Sequence, residues 1–351
     1  MDISNTKDLN NKFIFWRHDE KPNMFMLVGL AGSGKSTVAT KIYSEDRYGN
    51  IKRPIVHSTD DVRKDLFGSE TEQKNKEEVY KELVKRVKDD LKNNNDVIFD
   101  ATNLSKKKRH AFLNELKKIP CYKQCICVMT PYEACLEFNR SRSRQVPESK
   151  IKKMYLDWQP PALCEGFDTI LPVYNYGSLE KRGKYTLENL FKELDPFVQH
   201  NEHHNFTVGK HCREAAKYVM NTYPNDRNLK VAAILHDNGK IFTQSETNGK
   251  GEKDGQCHFY NHHNVGAYNS MFYTEYMQMN YEDRIEIANL IYYHMHPALS
   301  WEQSQKALKK DVRLCGEDFY QKVMKLRAAD IHSRGNKEKT IEQNGGYELE
   351  R

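Results

Sequence analysis

This 351-residue sequence lacks long apolar runs, closely spaced cysteines and a secretory leader pattern. Because no stretch approaches the continuous apolar length that crosses a bilayer, we expect no membrane partner. Residues 1–6 show no signal-peptide pattern. The eight cysteines form no dense disulfide framework. Together these absences predict a cytoplasmic protein in a reducing setting.

The composition is that of a folded protein with a modest excess of positive charge. Apolar residues make up 38% of the chain and charged residues 30%, a balance that excludes an intrinsically disordered protein. The length accommodates two domains, and no internal repeat is evident. The net charge of +6 is compatible with a phosphate-rich partner, although lysine-rich solvated surfaces are also common. Charge alone therefore does not identify the partner.

A phosphate-binding loop pattern follows the apolar run at residues 24–28. Residues 29–36 read Gly-Leu-Ala-Gly-Ser-Gly-Lys-Ser and lead into a helical pattern. Backbone N–H groups of such a loop surround phosphates, and the helix N-terminus favours their negative charge. Lys35 can reach the β- and γ-phosphates, and Ser36 can ligate Mg²⁺. The pattern thus predicts ATP or another nucleoside triphosphate with Mg²⁺, bound by Gly29, Gly32, Ser33, Gly34, Lys35, Ser36 and Thr37.

Strand and helix patterns alternate in the first half of the chain. Apolar runs typical of strands occur at residues 24–28, 54–58, 97–99, 125–129 and 169–174. Helical spacing occupies residues 76–91 and 106–118 between them, with Ser105 as the expected cap. This alternation predicts an α/β domain, a parallel sheet with helices on both faces. The carboxyl ends of its strands would gather the phosphate loop, Asp60 and Asp100, of which Asp100 either serves Mg²⁺ or only ends its strand.

The second half changes character. Beyond about residue 195 the strand pattern disappears, helical segments dominate and histidines become frequent. We therefore expect an α/β domain at residues 1–195, an all-α domain at 196–333 and a polar tail at 334–351.

Charged side chains near the phosphate loop suggest what receives the phosphate. Asp60 follows a predicted strand and can accept the proton of an attacking hydroxyl, and Arg63 can hold a substrate phosphate. A helix cap with a surface ion pair would give the same local pattern. Arg140, Arg142 and Arg144 precede a proline and suit a lid that closes on the triphosphate. A solvated basic loop is the alternative for that segment.

These segments occur in the order found in phage-type 5′-hydroxyl polynucleotide kinases, which residues 24–175 resemble. The matching pieces are residues 29–37, 58–63, 99–103 and 139–147. The resemblance implies that Lys35 and Ser36 handle ATP and Mg²⁺ and that Asp60 is the general base. It also implies that Arg63 contacts the phosphate next to the acceptor nucleoside and that Arg142 is the catalytic lid arginine. Arg140 and Arg144 remain alternatives for that role and are candidate substrate contacts.

A set of histidines and aspartates marks the second half as a candidate metal site. The set comprises His211, the adjacent His236 and Asp237, His262, His294 and Asp330. Mixed nitrogen and oxygen ligands suit Mn²⁺, Ni²⁺, Co²⁺, Fe or Zn²⁺ better than Ca²⁺. A metal of this kind can activate water for attack at phosphorus.

This half resembles the HD phosphohydrolase superfamily, particularly the HD domains of tRNA nucleotidyltransferases, over residues 196–333. The matching pieces are residues 211–216, 232–240, 259–267, 293–294 and 328–330. The resemblance implies that one metal is ligated by His211, His236, Asp237 and Asp330. It implies a second metal at His262 and His294, and a phosphate contact from Lys240. His263 stands where the superfamily often has an acid.

The combination is similar to bacterial kinase–HD enzymes that heal RNA ends, with the two modules in the opposite order. We therefore expect an enzyme that phosphorylates 5′-hydroxyl ends and removes 2′,3′-cyclic, 2′- or 3′-phosphates from RNA or DNA ends. A separate RNA ligase would be the partner that seals the healed ends. Two alternatives stay open: a nucleoside or nucleotide kinase fused to a small-nucleotide phosphohydrolase, and a kinase regulated by a ligand-sensing HD domain.

Overall fold

The structure, a computed structural model, describes residues 21–44, 53–70, 75–200 and 205–335. All of the expected polar tail except residues 334–335 lies outside these ranges. The chain forms a sheet-containing region and then a helical region. No helix in the described ranges is both long and apolar enough to cross a membrane.

Five parallel strands form the sheet, in the spatial order β2-β3-β1-β4-β5. Met24, Met26 and Val28 of the central strand enter one apolar cluster, whereas Phe25 and Leu27 enter another. Because both faces are covered, the strands read as continuous apolar runs, and the predicted α/β fold is confirmed. The strands are β1 (Asn23–Val28), β2 (Ile55–Ser58), β3 (Val97–Asp100), β4 (Tyr122–Met129) and β5 (Thr169–Tyr174).

Helices connect these strands, and their caps follow from the local sequence. Ser58 begins helix α2 because its hydroxyl accepts the Asp61 backbone N–H at 3.0 Å. Ser105 is the N-cap residue of the helix that begins at Lys106, but its hydroxyl makes no capping bond, contrary to expectation. The Lys106 N–H donates to Gln159 at 2.7 Å. The helices are α1 (Lys35–Ser44), α2 (Thr59–Phe67), α3 (Lys76–Lys92), α4 (Lys106–Glu115), α5 (Tyr132–Arg140), α6 (Glu148–Leu156), α7 (Leu179–Arg182) and α8 (Leu187–Leu194), with a 3₁₀ turn at Leu163–Glu165.

The helical region follows, as the sequence predicted. Its helices are α9 (Val208–Thr222), α10 (Arg227–Leu235), α11 (Lys240–Thr243), α12 (His262–Tyr276), α13 (Tyr281–Tyr293), α14 (Gln305–Cys315) and α15 (Glu317–His332), with a π-helical turn at Pro297–Trp301. A small antiparallel pair, β6 (Gln244–Ser245) and β7 (His258–Phe259), interrupts them. Strands of two residues are too short to produce a detectable periodicity, so this pair was not predicted.

The two regions share a buried core. Tyr268 of α12 is buried, with its ring edge-on to Tyr155 at 5.3 Å and to Trp158 at 5.1 Å between centroids. Its hydroxyl donates to the backbone oxygen of Thr130, directly after β4, at 2.5 Å. Burying each such ring contributes about 2 kcal/mol. Apolar residues from the sheet and from the C-terminal helices consequently belong to the same cluster.

A buried ion pair fixes the segment that leads into β5. The Arg109 guanidinium donates to both carboxylate oxygens of Glu165, at 2.7 and 2.8 Å, and both side chains are fully buried. Arg109 also donates to the backbone oxygens of Gln159 and Pro160, each at 3.0 Å. Glu165 accepts the N–H of Ala162 at 2.9 Å. Every strong polar group of the pair is therefore satisfied inside the protein.

We expect Glu165→Ala to lower the free energy of unfolding by about 3–5 kcal/mol, because it leaves the Arg109 charge buried without its counter-ion. Equilibrium urea unfolding followed by circular dichroism measures the change. The control is Glu188→Ala, which removes the exposed pair with Lys192 and should leave the midpoint unchanged. Equal effects of the two substitutions would contradict this prediction.

Candidate active sites

The phosphate loop connects β1 to α1 at the carboxyl ends of the strands. Gly32 has φ +81°, and a Cβ atom there would lie 2.3 Å from the backbone oxygen of Cys135, so only glycine fits. The N–H of Gly29 donates to the oxygen of Thr102 at 3.1 Å. The Thr130 hydroxyl donates to the oxygen of Ser33 at 2.8 Å. The loop is thus held by the segments that follow β3 and β4.

Lys35 lies inside this loop. Its ammonium donates to the backbone oxygens of Gly29 at 3.2 Å and Leu30 at 2.8 Å. Burial lowers the pKa of Lys35; Asp100 and Asp60 oppose this shift, and Arg142 adds to it. The charges of Asp100, Asp60 and Arg142 therefore all act on the Lys35 ammonium. The loop gathers the groups that the sequence had assigned to phosphate transfer.

Ser36 and Asp100 form the part of this site that fits Mg²⁺. The Ser36 hydroxyl donates to Asp100 Oδ2 at 3.0 Å, and the Ser36 residue is exposed. A hydroxyl beside a carboxylate is an oxygen donor set of the kind Mg²⁺ prefers, with its remaining positions filled by water and phosphate. Thr37, the last predicted loop residue, is exposed in the first turn of α1.

Asp60 lies in the first turn of α2 between two arginines. Arg63 donates to its Oδ1 at 2.6 Å, and Arg144 donates to its Oδ2 at 3.2 Å. The Asp60 side chain is 49% exposed, whereas that of Arg63 is only 15% exposed. Arg144 also donates to Glu70 at 3.0 Å. The carboxylate is oriented by its partners yet remains open to a ligand.

The three arginines at residues 140–144 have different surroundings. Arg140 pairs with Glu148 at 2.7 Å on the surface. Arg144 is engaged with Asp60 and Glu70. The Arg142 guanidinium makes no hydrogen bond or ion pair with any described residue, while its charge acts on Lys35. Arg142 is therefore the arginine of this segment that is available to a phosphate at the loop.

The candidate metal residues come together from five helix ends or turns in the second region. His211 lies on α9, His236 and Asp237 directly follow α10, and Asp330 lies on α15. His211 Nε2 lies 3.0 Å from His236 Nε2 and 3.1 Å from Asp330 Oδ1. Asp237 Oδ2 lies 3.3 Å from His211 Nε2 and 3.5 Å from His236 Nε2. These four side chains converge on one point.

A second group adjoins the first through Asp237. The other oxygen of this carboxylate, Oδ1, lies 3.4 Å from His262 Nε2 and 3.9 Å from His294 Nε2. The two Nε2 atoms of these histidines are 3.3 Å apart. Among the described residues, His211, His236 and Asp330 form one group able to hold a metal, and Asp237, His262 and His294 form another. Asp237 is therefore placed to bridge two cations.

The hydrogen bonds of the histidines show that the donor set fits a metal. In each of the four, Nδ1 faces a backbone oxygen, which can only accept, so Nδ1 carries the proton and Nε2 carries a lone pair. The partners are Ser333 for His211 (3.1 Å), Ala233 for His236 (2.8 Å), Phe259 for His262 (2.7 Å) and Ile291 for His294 (2.6 Å). Lone pairs and carboxylate oxygens thus face one another, an arrangement that a metal cation between them would stabilise.

The protonation preferences favour a positive charge among these side chains. Burial would lower the pKa of His236, but Asp237 outweighs it and raises that pKa well above its ordinary value, so a proton takes the Nε2 position from which a metal would displace it. Burial by itself would raise the pKa of Asp237, but Lys240, His236 and His211 outweigh it and hold that pKa well below its ordinary value. Burial and the neighbouring His262 lower the pKa of His294 to about 3. The carboxylate is therefore charged and the His294 imidazole neutral, the forms that ligate metals.

Gly239 allows the turn that carries His236 and Asp237 to pack closely against the start of α12, where His262 lies. A Cβ atom on Gly239 would lie 2.0 Å from the backbone oxygen of His262, so the turn after α10 can approach α12 only with glycine there. Asn238 donates to the oxygens of Leu235 at 2.6 Å and Gly266 at 3.0 Å and holds the same turn. This explains why the residues after His236 and Asp237 are Asn-Gly.

Lys240 and two residues not singled out from the sequence complete the site. The Lys240 ammonium lies 2.7 Å from Asp237 Oδ2 and donates to Gln199 at 2.7 Å. Arg334 donates to Asp330 Oδ2 at 2.8 Å. Its position four residues after Asp330, just beyond the end of α15, was an available signal. Gln199 had none, because it lies far from the other site residues in sequence.

Family comparisons match both regions. A family described as an AAA domain matches residues 24–161, and one described as an HD domain matches residues 202–333. The first region thus matches an AAA-domain family and has the α/β fold of a P-loop kinase, and the second region matches the HD-domain family. Together these matches support an enzyme that uses a nucleotide and a metal.

Individual relatives each match less than half of the chain. The L-seryl-tRNA(Sec) kinase of Methanococcus maripaludis is 27% identical over 163 residues, which are 45% of this chain and 60% of that protein. A chain of the Pnkp1/Rnl/Hen1 RNA repair complex is 26% identical with a TM-score of 0.34, covering 38% of this chain and 43% of that one. Kti12 of Chaetomium thermophilum, in complex with ADP-AlF3, is 18% identical with a TM-score of 0.38, covering 45% of this chain and 92% of that one.

The two metal groups generate a prediction about metal content. We expect purified protein to carry about two transition-metal ions per chain, one for each group. His262→Ala should remove about one of them, and Asp237→Ala should weaken both, because its two oxygens face both groups. Elemental analysis after dialysis measures the content. His263→Ala is the control, since His263 belongs to neither group; equal metal loss from His263→Ala and His262→Ala would contradict the assignment.

Proposed function

We propose that this protein is a bifunctional enzyme that heals nucleic-acid ends, RNA ends above all. Its first domain, residues 1–195, would phosphorylate 5′-hydroxyl ends with ATP. Its second domain, residues 196–333, would remove 2′,3′-cyclic, 2′- or 3′-phosphates. The observation that carries the proposal is the position of Asp60 between Arg63 and Arg144 beside the phosphate loop. A carboxylate flanked by guanidinium groups suits an acceptor whose hydroxyl lies next to a phosphate.

In the kinase reaction Asp60 takes the proton of the 5′-hydroxyl as its oxygen attacks the γ-phosphorus and ADP leaves. The phosphate that follows the acceptor nucleoside competes for Arg63 and Arg144, so substrate binding itself frees the Asp60 carboxylate to act as base. Lys35 and Arg142 stabilise the negative charge that develops on the transferred group. Ser36 and Asp100 would hold Mg²⁺, which would supply positive charge for the β- and γ-phosphates.

In the second domain His211, His236, Asp237 and Asp330 would hold one metal ion. His262 and His294 would hold another together with Asp237. Bound metal supplies Lewis acidity and an activated water. Lys240, beside Asp237, provides a positive charge for the substrate phosphate, and Gln199 orients the Lys240 ammonium through their hydrogen bond.

The two proposed reactions act on the two ends that one kind of RNA breakage produces. Breakage of RNA by transesterification leaves a 5′-hydroxyl on one fragment and a 2′,3′-cyclic phosphate on the other. One chain with both activities converts these into ends that a separate RNA ligase can join. A relative named as a seryl-tRNA kinase supports an acceptor attached to RNA. The net charge of +6 supports a polyanionic substrate.

The decisive experiment supplies one RNA with a 5′-hydroxyl and a 2′,3′-cyclic phosphate, with ATP and a series of divalent metals, and maps both ends. Free nucleosides and an aminoacylated tRNA serve as competing acceptors. Phosphorylation of the oligonucleotide with a steep salt dependence supports the proposal, because multiple phosphate contacts release counter-ions. Labelling of a free nucleoside alone would favour the small-molecule alternative.

Substitution should separate the two activities. We expect Asp60→Asn to lower the 5′-kinase rate by about 10²–10⁴-fold by removing the base while leaving phosphate removal unchanged. His236→Ala should abolish phosphate removal and leave the kinase unchanged. Single-turnover assays on end-labelled RNA measure both. A different result would favour a ligand-sensing role for the second domain over a catalytic one. That result is a changed kinase rate in His236→Ala together with no phosphate release by the unsubstituted protein or any variant.

The lid arginines provide a matched pair. We expect Arg142→Ala to lower kcat for the kinase by about 10²–10³-fold, since the Arg142 guanidinium has no partner among the described residues and its charge acts on Lys35. Arg140→Ala should have little effect, because Arg140 pairs with Glu148 on the surface. Steady-state kinetics with saturating ATP and RNA distinguish the two. A larger loss in Arg140→Ala would move the lid role to that residue.

A further inference from the structure

Two cysteines from distant parts of the chain face each other outside both candidate active sites. Cys164 lies in the 3₁₀ turn before β5, and Cys315 is the last residue of α14. Their sulfur atoms are 3.1 Å apart, and both are free thiols. Both residues are half-buried, so small reagents can reach them. This pair differs from Cys125 and Cys127, which are fully buried in the sheet.

Cys315 has the surroundings of a reactive thiol. The Lys106 ammonium lies 3.2 Å from its sulfur, and the Tyr293 hydroxyl lies 4.0 Å from it. The hydrogen bond from Cys164 lowers the pKa of Cys315, and Lys106 lowers it further, against the effect of burial. The pKa of Cys164 is raised, first by its bond to Cys315. One sulfur is therefore the thiolate and the other its thiol partner.

We propose that Cys315 and Cys164 form a reversible oxidation site whose co-substrate is a peroxide. The Cys315 thiolate attacks one peroxide oxygen, the O–O bond breaks, and Cys315 becomes a sulfenic acid while the alkoxide or hydroxide takes a proton. The Cys164 sulfur then attacks the Cys315 sulfur, its proton leaves with the departing hydroxide as water, and a disulfide forms. In sum, two thiols and one peroxide give a disulfide, water and an alcohol or a second water.

Cys164 and Cys315 lie in different regions of the chain, so a disulfide between them would affect how the regions are connected. Cys164 belongs to the region that carries the phosphate loop, and Cys315 belongs to the region that carries the metal groups. Lys106, at the start of α4, contacts both Cys315 and Tyr293 and so lies at the same junction. The disulfide would join the two regions covalently. This inference goes beyond the proposed function and does not depend on it.

The chain supplies an internal control. Cys257 is also half-buried, but its sulfur accepts a hydrogen bond from Gln244 at 3.1 Å. Among the described residues, no lysine, arginine or second cysteine forms a bond with this sulfur. Reaction at Cys315 can be compared with reaction at Cys257 in the same sample, which removes differences in reagent and folding.

The test exposes the full-length reduced protein to hydrogen peroxide near neutral pH. Free thiols are then blocked with N-ethylmaleimide and the digest is analysed without reduction by mass spectrometry. We expect one linked peptide pair that contains Cys164 and Cys315 and disappears with dithiothreitol. Cys315 should react at least about tenfold faster than Cys257, because a thiolate is the reacting form.

Three variants test the assigned roles. In Cys164→Ser, Cys315 should persist as a sulfenic acid that dimedone labels. In Lys106→Met, loss of the Cys315 thiol should slow by about tenfold, and in Cys257→Ser the linked pair should form unchanged. Thermal unfolding of each variant establishes that it is folded. Equal reaction of Cys315 and Cys257, or linkage only between separate chains, would overturn the proposal.

Discussion

The hydrogen bond from Tyr268 to Thr130 connects the helical region to the sheet-containing region. Thr130 uses its backbone oxygen for Tyr268, at 2.5 Å, and its hydroxyl for the backbone oxygen of Ser33 in the phosphate loop, at 2.8 Å. Tyr268 lies on α12, the helix that begins with the candidate ligand His262. Burying a phenol without a partner would cost about 1–3 kcal/mol, so this contact is favoured over any loose packing of the two regions. The phosphate loop and the metal groups are therefore joined by a short path of covalent structure and two hydrogen bonds.

The two sites differ in how far their charges are exposed to solvent and in what neutralises those charges. Around Asp60 the charges are partly exposed and already paired, so a phosphate can displace protein partners at modest cost. Around Asp237 the charges are buried, and each of the four histidines is oriented by a backbone oxygen at its Nδ1. Rearrangement there would leave buried polar groups unsatisfied. The first site is suited to a substrate that brings its own charges, and the second to cations that stay.

Local sequence was sufficient to predict what depends on local spacing. The range predicted for β5 matches the observed strand, and the loop at residues 29–36 follows β1 as expected. Features that depend on three-dimensional packing were out of reach. Apart from the family resemblance, local spacing does not distinguish Arg142 from Arg140, because the difference arises from Glu148, eight residues away, and from the position of Lys35. The bridging position of Asp237 likewise depends on how closely Gly239 lets its turn approach α12.

The shared core was unpredictable for a related reason. Apolar spacing indicates which face of a helix is buried but not which surface covers it. Helix α12 is buried on nearly every side, since it contacts the metal groups at its first residue and the sheet region at Tyr268. A helix in that position cannot shift toward one site without disturbing the other, because well-packed interiors transmit displacement instead of absorbing it. The geometry of the metal groups and that of the phosphate loop consequently depend on the same packing.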